Sequence, residues 1–280
     1  VMLSGLFAYG FMVNAFAAAT IVALVAGPVG FFLVLRQQSF AGHALSHVGF
    51  TGATGAVLLG LPPLWGLVAL TLLAGLAMGL LGEKVAGRDV AIGMVLALSL
   101  GFGLLFLHFF TAYASQATAL LFGNVFGVDC ATLWTLLVLG ALALSGLAII
   151  ARPLLFASLQ PELAEARGVR LRLVSVLFLG LVGLATAGCA QIVGVLLVFT
   201  LMVGPAAAAQ RVTSSLWAGI ALSALLALVE AWGGIMLAWA TDWPASFWIT
   251  ALSAAAYLLS CLTPRSSSRR SPAPGLLPAR

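Results

Sequence analysis

Apolar residues come in long unbroken runs along this chain, separated by short polar punctuation rather than alternating as in a half-buried strand. No Asp, Glu, Lys, Arg or His interrupts Val1–Leu35, Val48–Gly82, Ala131–Ala151, Leu173–Gln210 or Trp243–Pro264. A bilayer core takes roughly 20 apolar residues per helix, whereas a barrel strand is shorter and turns a polar side chain inward at every second position. The runs predict helices at about 10–35, 42–60, 64–82, 90–111, 130–151, 172–189, 192–210, 215–240 and 244–262. Leu173–Gln210 is barely long enough for two crossings, and one crossing plus a re-entrant segment fits it as well. The expected fold is all-α, a polytopic transmembrane bundle of eight or nine helices making one domain over 1–262.

Composition narrows the class further. Hydrophobic residues make up 63% of the 280 and charged residues 7%, with a mean hydropathy of +1.19. Soluble domains carry about 25% charge, so a soluble enzyme, a disordered chain and a secreted disulfide scaffold are all excluded. The net charge of +5 has a topological origin. Running the spans alternately puts Arg36, Lys84, Arg88, Arg152, Arg167, Arg170, Arg172, Arg211, Arg265, Arg269, Arg270 and Arg280 on one side. The positive-inside rule makes that side cytoplasmic, C-terminus included, and no nucleic-acid partner is needed to explain the charge. His108, Asp129, Glu230 and Asp242 stay near the outer helix ends, where Trp243 and Trp248 suit an interfacial aromatic belt. The Ser-, Arg- and Pro-rich tail 263–280 reads as a disordered cytoplasmic end. The opening apolar stretch lacks the positive n-region of a cleavable signal. Cys130, Cys189 and Cys261 form no C-x-x-C pair, so neither a disulfide framework nor a structural zinc site is indicated.

Chemistry-bearing residues are few. There is no G-x-x-x-x-G-K-[ST] phosphate loop, and the one lysine, Lys84, follows Glu83, so any ATP hydrolysis that drives this chain must occur on another polypeptide. In the cytoplasmic connection 152–172, Pro161 suits the first position of a short helix, with Glu162 and Glu165 near its positive end. Arg167 closes that helix and Gly168 stops it; a solvated connector and a docking element both fit. His43 and His47, four apart, face the same way on a helix and suit a shared divalent cation, or else satisfy backbone and water near a helix end. Glu230, an ionisable group inside an apolar helix, is a functional candidate by default, against the reading that it reaches the outer interface. His108 and Asp129 are weaker candidates for a metal-access mouth. Asp242 is expected to cap the last helix ahead of Pro244, and Asp89 to cap the fourth. Glycines in the first two helices suit close packing, with a hinge at Gly27-Pro28 as the alternative.

Several segments together resemble one family. Phe32-Leu-Val-Leu-Arg-Gln-Gln-Ser-Phe-Ala-Gly-His-Ala-Leu-Ser-His47 is similar to the hallmark segment of the manganese/zinc/iron permease family of ABC importers, approximately F-L-V-L-R-R-x-S-L-x-G-D-A-L-S-H. In order along the chain, Arg88-Asp-Val-Ala-Ile-Gly93, Leu121-Phe-Gly-Asn-Val-Phe-Gly127 and Pro161-Glu-Leu-Ala-Glu-Ala-Arg-Gly-Val169 match further segments. Val193-Gly-Val-Leu-Leu197 with Pro205-Ala-Ala-Ala-Ala209, and Asp242-Trp-Pro244, complete the series.

The resemblance implies a homodimeric, cobalamin-permease-like membrane subunit in the cytoplasmic membrane of a bacterium or archaeon. Two ABC ATPase subunits would sit on its cytoplasmic face, and a periplasmic or lipoprotein metal-binding protein would deliver cargo. About 159–169 becomes a coupling helix, with Pro161, Glu162, Ala164 and Gly168 on the family's positions; Gln160 departs from the Asp of many members. The expected function is import of a divalent transition metal, with no permanently bound cofactor and no catalysis on this chain. His43 stands where the family commonly has Asp, and exchanging a hard oxygen donor for imidazole favours zinc over manganese or iron. Whether His43, His47 and Glu230 share one ion depends on the depth of the 36–41 turn, which the sequence leaves open. A permease for iron-siderophore or cobalamin is the alternative, though helices dense in Ala, Gly, Leu and Val offer few polar anchors. An intramembrane metalloprotease is remote, because His43-Ala-Leu-Ser-His47 lacks the glutamate that serves as general base.

Overall fold

The computed structural model describes residues 9–80, 88–109, 121–195 and 197–262. The 263–280 tail, Glu83 and Lys84 lie outside the described residues. Ten α-helices and no strand occur among them. They are α1 (Gly10–Leu35), α2 (Ser39–Leu58), α3 (Pro63–Leu80), α4 (Arg88–His108), α5 (Cys130–Leu159), α6 (Pro161–Ala166), α7 (Leu171–Val193), α8 (Val198–Val212), α9 (Leu216–Thr241) and α10 (Ala245–Leu262).

Seven of these, all but α2, α6 and α8, are long and apolar enough to cross a membrane. The two departures from nine spans have separate causes. α2 has the length, but Ser39, His43, Ser46, His47, Thr51 and Thr54 dilute its apolar character, and most of it is buried in the bundle instead. α8 is only 15 residues long, about 22 Å at 1.5 Å per residue and short of a roughly 30 Å core. Leu173–Gln210 is therefore one full crossing that ends at Val193 and a short return helix that begins at Val198.

α1 and α7 are the most buried spans and form the centre. α1 packs against α5, α7, α8 and α9; α7 packs against α3 and α5, and α2 lies among α3, α4, α7 and α8. Leu98 and Leu104 of α4, Ile149 of α5 and Leu258 of α10 point outward, while Thr71, Thr186, Ser223 and Ser253 are buried. That inversion suits a protein whose surrounding solvent is lipid, because interhelical polar side chains gain partners inside. Gly27 and Gly30 allow close approaches: a Cβ at either would collide with backbone of Ala224 or Met202. The Ser223 hydroxyl donates to the Gly27 carbonyl at 2.9 Å. Gly27-Pro28 thus lies in a tight helix contact, with Pro28 inside α1. Asp242 does not cap α10: it ends α9 in the left-handed region (φ 56°), which Asp tolerates better than most residues. Asp89 falls in the first turn of α4 rather than ahead of it. Just after α9, Trp243 and Trp248 stack at 5.6 Å.

Candidate metal path and coupling segment

α1 ends in a Schellman motif. The amides of Gln37 and Gln38 donate to the carbonyls of Val34 (3.0 Å) and Leu33 (2.9 Å), with Gln37 at φ 56° where glycine is usual. The turn is short, so α2 begins at Ser39 and places His43 about 6 Å, and His47 about 12 Å, along its axis. The two imidazole centroids lie 4.7 Å apart at 84°, and His43 also meets the Phe199 ring edge-to-face at 5.1 Å. Nδ1 of each histidine is buried without a hydrogen-bond partner in the protein. An unsatisfied buried nitrogen costs about 1–3 kcal/mol, and two of them on adjacent imidazoles form a donor pair suited to a divalent ion. Thr51 packs beneath them and donates to the Ser99 carbonyl of α4, fixing α2 against its neighbour.

Glu230 sits midway along α9 and is 2% exposed. Neither carboxylate oxygen has a hydrogen-bond partner in the protein. Its polar neighbour is Ser253 of α10, whose hydroxyl donates to the Thr200 carbonyl at 3.3 Å. Among the described residues, no three His, Cys, Asp or Glu side chains come close enough to hold one ion together. The structure therefore joins His43 to His47 and leaves Glu230 in a separate position. The first turn of α8 stands between the two places, presenting Phe199 to His43 and the Thr200 carbonyl to Ser253. Neither Phe199 nor Ser253 was singled out from the sequence, because nothing in either local pattern marks a neighbour so distant along the chain.

His108 and Asp129 separate as well. Asp129 caps α5, accepting the Thr132 amide on Oδ1 at 2.8 Å. Hydrogen bonds from the Thr132 side chain and then its amide hold this carboxyl below the usual carboxylate range. His108 is exposed in the last turn of α4, beside Phe109. Between them in sequence, Leu121–Gly127 lies against α1 and α7. Ser246 of α10 donates to the Phe122 carbonyl at 2.7 Å, and Asn124 Oδ1 accepts the Gly127 amide at 3.0 Å.

Pro161 opens α6 at its first turn, with Glu162 beside it. Gly168, at φ 83°, closes the segment. The Gly168 amide donates to Glu165 and the Val169 amide to Ala164, both at 2.9 Å, another Schellman motif. Ala164 is fully buried, whereas Leu159 and Leu163 expose large apolar side chains. α6 thus packs through Ala164 and leaves Leu163 exposed between Glu162 and Glu165.

The sequence profile of the ABC 3 transport family matches residues 8–263. The chain is 30% identical over 230 residues to the "Manganese transport system membrane protein MntC" of Listeria innocua, covering 82% of each chain. It is 29% identical over 262 residues to the "Manganese import system permease protein ScaB" of Streptococcus parasanguinis, covering 92% of each. It superposes with a TM-score of 0.83 and 28% identity on a chain of the structure "PsaBC from Streptococcus pneumoniae in complex with Fab", covering 92% of this chain and 94% of that one.

Proposed function

Because the chain belongs to the ABC 3 transport family, we propose that it is the membrane-spanning permease subunit of an ATP-driven importer for a divalent transition metal. The observation that carries this reading is the His43–His47 pair, two adjacent imidazoles with unpartnered Nδ1 atoms in the interior of a membrane bundle. Two donors make an open site, and a transporter needs one: a closed four-ligand site would hold zinc too firmly to release it. Glu230 provides a second, separate anionic station on the route.

Two copies of this chain act together, with two ATPase subunits below and a metal-binding protein delivering cargo from outside. α6 is the docking element for the ATPase, through the exposed Leu159 and Leu163 and the Pro161–Gly168 segment. Nucleotide binding there biases the exchange between outward- and inward-open states. The membrane is the cytoplasmic membrane, with the C-terminus inside, in keeping with the distribution of basic residues. ATP is hydrolysed on the partner chains.

Cargo identity rests on two considerations that point apart. The relatives are named for manganese, whereas a donor pair of two imidazoles suits zinc better than manganese. We assign zinc as the preferred ion at His43–His47. The test is uptake of zinc and manganese by the complete complex in proteoliposomes, alone and in competition, for the wild type and for His43→Ala/His47→Ala. Metal- and ATP-dependent uptake that collapses in the double variant is expected. Uptake untouched by the double variant, or absent from the wild type, overturns the reading.

A further inference from the structure

α6 moves nothing unless it is mechanically joined to the helix that holds the histidines, and Arg36 makes one such join, beside the direct packing of α7 on α2. Arg36 ends α1, seven residues before His43. Its Nη2 donates to Ser175 Oγ at 2.9 Å and its Nη1 to Ser158 Oγ at 3.3 Å. Its guanidinium carbon lies 5.6 Å from the centroid of the Phe178 ring. Ser158 is in the last turn of α5, three residues before Pro161, and Ser175 is in the second turn of α7. The guanidinium thus grips both helices that flank α6, one with each terminal nitrogen. A planar fork with fixed donor directions transmits a displacement of either flank more firmly than a single flexible ammonium does.

The other end of the lever is the 36–38 turn. Gln37 holds a left-handed backbone without being glycine, a conformation that persists only where the surroundings impose it. Gln38 is buried, its amide is fixed on Leu33 and its carbonyl accepts the Gly42 amide at 3.2 Å. No slack therefore separates Arg36 from the first turn of α2 and His43.

We propose that Arg36 is a positioning residue that transmits displacement of the α6 segment to the His43–His47 pair, through Ser158 and Ser175 on one side and the Gln37 turn on the other. This rests on the permease reading above, with α6 as the docking element.

The test uses the complete complex in proteoliposomes with manganese and zinc as probes, and measures ions moved per ATP hydrolysed. Wild type is compared with Arg36→Gln, Arg36→Lys and the double variant Ser158→Ala/Ser175→Ala. Arg36→Gln is expected to lower the ratio about tenfold, the usual size of a coupling between two sites, while ATP hydrolysis continues. Arg36→Lys and the serine pair should fall in between. A ratio unchanged in all variants, or uptake and hydrolysis declining in parallel with thermal stability, overturns the proposal. Should Arg36→Gln fail to assemble, the serine pair keeps the arginine and reads the same ratio. A wild-type complex that moves neither ion overturns the permease reading and this one with it, whereas a transporting wild type with unaltered variants overturns this one alone.

Discussion

Gly123 and Gly194 meet backbone to backbone at one end of the bundle: a Cβ placed on either would run into the other's amide nitrogen. Both sit at positive φ, 77° and 83°. Gly194 ends α7 at ψ 155°, a region essentially reserved for glycine. The break between α7 and α8 is thereby plugged by Leu121–Gly127, which Ser246 ties in turn to α10. Three parts of the sequence that look like unrelated loops form one clasp.

Replacing Gly194 with Ala should therefore destabilise the protein by about 1–3 kcal/mol from backbone strain alone, with the collision against Gly123 added. Gly123→Ala should act in the same direction. Thermal unfolding of the detergent-solubilised protein checks this. An unchanged Tm in Gly194→Ala would mean that the two segments do not touch.

Glu230 invites a sharper separation of stability from function. A buried carboxylate without hydrogen-bond partners is costly, and an amide of the same shape costs less to bury. Glu230→Gln is expected to leave Tm unchanged or raised. Metal uptake should fall about tenfold or more, the loss of one ionic contribution of about 1.4 kcal/mol to ion binding. Lower Tm with normal uptake would make Glu230 a structural group.

How much of this was legible in the sequence follows from the range of the forces involved. Seven spans were readable because burial in lipid needs only a local run of apolar residues. The His43–His47 pair was readable because positions four apart share a helix face whatever the tertiary fold. The length of α8 was left open, since Leu173–Gln210 is apolar throughout and the break depends on Gly123 filling it from elsewhere. Arg36 looked like a topology anchor, because its partners Ser158 and Ser175 lie 122 and 139 residues away. For Glu230 the sequence left open whether it stays inside or reaches the interface, and its distance from the histidines depends on how far the 36–38 turn reaches inward, which no periodicity encodes. Asp242 was misread as a helix start because an aspartate before a proline suits an N-cap, whereas the tight α9–α10 turn needed a left-handed residue.

The choice between zinc and manganese turns on a single donor. His43→Asp replaces an imidazole by a hard oxygen ligand beside the remaining His47 and should shift preference toward manganese. In competition uptake the manganese-to-zinc ratio should rise about tenfold, corresponding to about 1.4 kcal/mol of differential binding. A ratio indifferent to this substitution would remove His43 from the ion's path.

Asp129 separates a capping duty from a metal-access duty. Its carboxyl accepts Thr132 hydrogen bonds at the start of α5, and those bonds hold it below the usual carboxylate range. A carboxyl depressed in the folded state adds stability that is fully present above its ordinary unfolded value. That stability is lost as pH falls through the depressed folded value. Tm of the wild type should therefore fall more steeply than that of Asp129→Asn as the pH is taken below about 4. At neutral pH Asp129→Ala should lower Tm by a few degrees, while metal uptake per folded complex stays at the wild-type level. Asn still caps a helix and carries no charge, so a loss of uptake in Asp129→Asn with Tm preserved would instead assign the carboxylate to the passing ion.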